Sequence, residues 1–134
     1  MRLEWAILCN EIEPSEDGLS VQGIDQNGRL VDDIPLPVLI PVLLCFLVDE
    51  NDPAGTTCRF EQLVIGPRGN AVDYGEAAVE WNPGTSPKLA SPERFYRPFP
   101  VEFTVVETGL HTIAITSAQA IVELPLLFCQ LPSN

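Results

Sequence analysis

Apolar residues recur at every second position through much of this chain. Leu3, Trp5, Ile7 and Cys9 alternate with Glu4, Ala6 and Leu8, which predicts a strand over 2–9 with the first set on one face. Pro14-Ser15-Glu16-Asp17-Gly18 reads as a turn. Leu19 and Val21 then point inward from a strand over 19–25, where Gly23 marks a bulge or a close backbone approach. Asn27-Gly28 is the strongest short hairpin signal, expected to fold Arg29-Leu30-Val31 back beside the preceding strand. Cys58 to Ile65, with a phase slip near Glu61-Gln62, and Ala71 to Trp81 read as strands around a tight turn at 66–70. Val101, Phe103 and Val105 alternate with Glu102 and Thr104, and His111, Ile113 and Ile115 with Thr112, Ala114 and Thr116. A last strand runs from about Ala120 to Phe128.

Residues 34–48, IPLPVLIPVLLCFLV, break the alternation because every position is apolar or proline. Pro41 would break or kink a helix there, and the run is shorter than the roughly 20 residues of a membrane-spanning helix. A buried strand over 38–48 follows. Val38, Ile40, Val42, Leu44, Phe46 and Val48 share one face, and Leu39, Pro41, Leu43, Cys45 and Leu47 the other. A strand apolar on both sides needs a cover on its second face, from a loop, a helix or another subunit. Its early prolines suggest that it starts at a sheet edge.

These elements predict one all-β domain over 1–134, an antiparallel two-sheet β-sandwich of about seven or eight strands with immunoglobulin-like or related Greek-key topology. Residues 82–100 hold five prolines and are expected to form a long irregular loop. That loop carries Lys88, Arg94 and Arg97 interleaved with Phe95, Tyr96 and Phe99, residue types enriched at interface hot spots. These six are the candidate partner-binding residues. The alternative is that the loop packs its aromatics onto the sandwich and pairs its arginines with acidic surface.

Two segments, AILCNEIEPSEDGLSVQGID at 6–25 and ETGLHTIAI at 107–115, resemble a family of short uncharacterised bacterial β-sandwich proteins, a domain of unknown function. Gly18, Leu19, Val21, Gly23 and Ile24 carry the first match, and His111 stands where an aromatic is usual in the second. The resemblance implies the sandwich fold and a cytoplasmic bacterial setting, and it brings no catalytic residues.

The net charge of −12 disfavours nucleic acid and anionic membrane surfaces as partners. No apolar leader is visible near Met1, so a cytoplasmic location is expected. Cys9, Cys45, Cys58 and Cys129 are then reduced thiols, read as buried core residues because each lies in or beside an apolar segment. The one histidine, His111, sits on the apolar parity of its strand and reads as structural. No GxSxG, glycine-rich phosphate loop or HExxH occurs, and no cofactor is implied. Asp25, Asp32, Asp33, Asp49 and Asp52 fall at strand ends and are weak candidates for calcium, which takes about six to eight oxygens.

The first expectation is a non-catalytic interaction module that self-associates or binds a protein partner. The alternatives are a calcium- or small-ligand-binding sandwich, and an enzyme whose pocket would hold two or more of Asp25, Asp32, Asp49 and Asp73.

Overall fold

The structure is a computed structural model that describes residues 1–15, 18–25, 27–82 and 93–131. Ten strands follow one another among them: β1 (Arg2–Leu8), β2 (Glu11–Ser15), β3 (Gly18–Gln22), β4 (Gly28–Val31), β5 (Leu36–Val48), β6 (Thr56–Ile65), β7 (Ala71–Trp81), β8 (Glu93–Val105), β9 (Gly109–Ser117) and β10 (Ile121–Gln130). They form a three-stranded sheet β1-β5-β8, a five-stranded sheet β4-β10-β9-β6-β7 and a two-stranded sheet β2-β3. The described residues include no helix long and apolar enough to cross a membrane.

Inward side chains from both larger sheets make one apolar cluster. Ile40, Val42, Leu44 and Phe46 enter it from β5, and Ile113, Ile115, Leu126 and Phe128 from β9 and β10. Phe46 meets Phe60 with ring centroids 6.3 Å apart, and Phe103 meets Phe128 edge to face at 5.9 Å. Such contacts join the two layers by apolar burial and ring geometry. His111 lies inside this cluster, 1% exposed, stacked on Phe103 with Nδ1 3.1 Å from the Gly109 carbonyl.

Four local expectations are corrected. The first strand does not keep one phase. Leu3 pairs with Phe46, but Trp5 pairs with Cys45, so Glu4 is an extra residue in a bulge. The bulge swaps the faces of β1: Leu3, Ala6 and Leu8 are buried in the core cluster, while Trp5 and Ile7 follow Cys45 and Leu43 onto the opposite face. Second, Asn27-Gly28 makes no tight hairpin. β3 pairs with β2 instead, and β4 runs parallel to β10, with the Leu127 amide donating to the Asn27 carbonyl. Gly28 does not take the positive φ that such a hairpin turn requires. The five-stranded sheet is therefore mixed rather than antiparallel. Third, Leu19 and Val21 do not enter the core cluster, because β3 pairs only with β2. Fourth, β6 runs without a slip at Glu61-Gln62, and its register shift falls at Val64/Ile65.

Gly23 behaves as expected for a close approach. It has φ +68°, and a Cβ there would lie within 2.4–2.8 Å of the Asn10 side chain.

The largest difference is at 93–100, expected as loop and found within β8. That strand pairs with β5 over its whole length, from Leu36↔Val105 to Val48↔Glu93. Proline lacks only its own amide donor, so it fits a ladder when its nitrogen points away from the paired neighbour. β8 is an edge strand, which leaves Pro98 and Pro100 that freedom. The same holds for Pro37 in β5, because β1 pairs only with residues 42–47, while at Pro41 the chain just past β1 uses only the carbonyl, which accepts the Cys9 amide at 3.1 Å. Pro125 in β10 likewise lies before the point where β4 begins to pair, at Leu127. The strand β5 is central, yet its proline-bearing half does have an open flank.

Candidate functional site

The β1 bulge and the β8 ladder bring a set of side chains together on the outer face of the three-stranded sheet. Cys45 sits in register between Trp5 on β1 and Tyr96 on β8. The Trp5 and Tyr96 rings pack at 5.9 Å between centroids, tilted by 52°. Beside them Arg94 Nε donates to Glu4 Oε2 at 3.1 Å and Arg94 Nη2 to Glu4 Oε1 at 3.3 Å. This two-pronged pairing fixes the guanidinium plane as a single ion pair would not. The Cys45 thiol donates to the same Glu4 Oε2 at 3.6 Å.

The electrostatics follow from these contacts. The Arg94 hydrogen bonds hold the Glu4 carboxyl below its usual range, against some desolvation. Burial, with the Glu4 carboxylate second, pushes the Cys45 thiol up to about 12. Cys45 is therefore an inert protonated donor beneath the aromatic pair, not a nucleophile. Cys9 and Cys58 are likewise buried with thiols raised mainly by desolvation, whereas Cys129 is exposed, against expectation. It falls on the outward parity of β10, where Leu127 and Pro125 also lie exposed.

The six candidate partner-binding residues separate. Phe95 and Phe99 turn inward, Phe95 against Phe46 at 6.3 Å and Phe99 against Phe60 at 5.1 Å. Arg94 is bound to Glu4, and Arg97 is exposed. Tyr96 remains 45% exposed over Trp5. Lys88 lies outside the described residues. Trp5 and Glu4 were missed because strict alternation put Trp5 on the same face as Leu3; a bulge made at a glutamate leaves no mark in the sequence.

The second face of β5 is flanked by its own neighbours, Trp5 and Ile7 on one side and Tyr96 and Pro98 on the other. Leu43 and Cys45 are buried between them, while Leu39 stays exposed.

The acidic candidates do not converge. No three His, Cys, Asp or Glu side chains gather into a metal-holding group among the described residues. The Asp52 carboxylate already accepts from the Asp49 amide at 2.9 Å and contacts the Met1 amine. Asp49 and Asp52 line one shallow cleft with Arg2 and Gln119, and that cleft lacks Asp25, Asp32 and Asp73. Another open cleft, on the five-stranded sheet, is lined by Arg59, Glu61, Glu76 and Thr116. No protein-family model matches the chain, and no curated protein matches it.

Proposed function

We propose that this chain is a non-catalytic interaction module, a two-sheet β-sandwich with an immunoglobulin-like strand path, that binds a protein partner or a second copy of itself. The sandwich reading is supported by the single core shared between the two larger sheets. The strand path is supported by their order. β1-β5-β8 follows the A-B-E half of such a sandwich, and β10-β9-β6-β7 follows G-F-C-C′, with β4 added beside the last strand.

The observation that carries the binding reading is the outer face around Trp5 and Tyr96. It offers a half-exposed aromatic pair, a guanidinium held in place by Glu4, and the exposed Leu39 farther along the same face. Rigid aromatic and arginine groups lose little conformational freedom on contact and dominate interface energies. His111, enclosed by Phe103 and Phe128, is poorly placed to exchange protons with a substrate, which favours a non-catalytic role.

The test compares wild type with a Trp5→Ala/Tyr96→Ala double variant in affinity capture from the native host. A partner retained by wild type and lost by a still-folded variant supports the reading. Equal retention by both removes this face from it.

A further inference from the structure

We infer that the outer face of the five-stranded sheet is a contact surface for a second copy of this chain, which rests on reading the chain as an interaction module. Strand register fixes what that face presents. Leu30 lies beside Cys129, and Leu127 lies beside Leu110. The next row runs from Pro125 through Thr112 to Ile65. Not one of these carries a charge. Leu30 is 70% exposed, Leu110 54% and Leu127 43%. A sheet face in contact with water ordinarily alternates apolar inside with polar outside, and this end of the face departs from that rule. Carboxylates begin only in the following rows, with Glu123 and then the directly opposed Glu61 and Glu76.

Size and charge select the occupant. The apolar end comprises seven positions on four strands, each taking about 4.8 Å by 6.8 Å of sheet, so it covers on the order of 230 Å² in projection. Side-chain relief adds to this, but the patch stays well under the roughly 800 Å² per partner of a standard interface. A reversible dimer fits that area; an obligate one does not. The net charge of −12 draws cationic partners, but these three rows give them no carboxylate to meet, and Glu107 at the same end of the sheet is paired with Arg68. Its complement is a surface as neutral and apolar as itself, which two-fold symmetry supplies from a second copy.

Sedimentation equilibrium from micromolar to submillimolar concentration tests the inference on the full chain. Wild type is expected to show a concentration-dependent dimer. Leu110→Glu with Leu127→Glu raises the dissociation constant at least about tenfold, with the circular dichroism spectrum unchanged. Should that variant fail to fold, Leu30→Lys on the four-residue edge strand β4 serves instead. Alkylation of the exposed Cys129 is expected to slow as concentration rises. A monomer at every concentration, or a dimer indifferent to these substitutions, overturns the inference. Dimer loss in Tyr96→Ala alone also overturns it, by moving the contact to the other face, and leaves the interaction reading intact.

Discussion

Glu4 occupies a position that alternation would give to solvent, and a bulge turns it into the anchor of Arg94. Its folded pKa is depressed by that arginine, so the stabilisation is fully present above the ordinary carboxyl value of 4.5 and is lost as pH falls through the lower folded value. Glu4→Gln is therefore expected to lower the melting temperature at neutral pH, with the difference from wild type closing in acid below that value. Thiol chemistry gives a second residue-scale expectation. With burial holding Cys45 up to about 12 and raising Cys9 and Cys58, a small alkylating agent at mildly alkaline pH modifies Cys129 first in the folded protein. Mass spectrometry of the labelled chain reads this directly, and early labelling of Cys45 would contradict the burial described. At Gly23 the positive φ and the crowding by Asn10 act together. Gly23→Ala is expected to cost about 1–3 kcal/mol in chemical denaturation.

Among the elements, those with one wet and one dry face were legible. Val101–Val105 and His111–Thr116 alternate cleanly, and both are strands in the structure. The doubly apolar segment was legible too, since β5 is the central strand of its sheet and is buried over much of both faces. Position 4 was not, because a bulge costs one residue and changes no composition. The 93–100 segment was not, because proline content reports lost amide donors without saying toward which side they would have pointed. Asn27-Gly28 failed for a related reason: a turn-prone pair permits a hairpin, but tertiary pairing with β10 decided where β4 went. For the candidate site, residue types in 94–99 were visible while their sidedness was not, so inward phenylalanines and outward Tyr96 were pooled. One element-scale expectation follows. Pro98→Val with Pro100→Val restores two edge donors on β8 without disturbing its pairing to β5. The expected result is an unchanged or slightly raised melting temperature together with increased light scattering on heating.

At the scale of the molecule, the two larger sheets are held by a few large side chains that cross between them. Phe46 touches both Phe60 on the opposite sheet and Phe95 on its own. Phe46→Ala leaves a cavity between the layers and is expected to destabilise the fold by about 3–5 kcal/mol in chemical denaturation. Net charge acts on the whole as well. Two copies, each at −12, repel one another before any apolar contact is made. The proposed dimer is therefore expected to tighten with added salt, which screens the repulsion without weakening apolar burial. Sedimentation in a salt series would show the trend, and loosening with salt would point to an ionic interface instead. The prolines along the rim of β8 bear on the same question of association. A neighbouring chain cannot dock there as one more ribbon across Pro98 and Pro100 with an unbroken set of bonds. Growth on that side is closed, so a ribbon added to this sheet has only the seven-residue rim of β1 to run along.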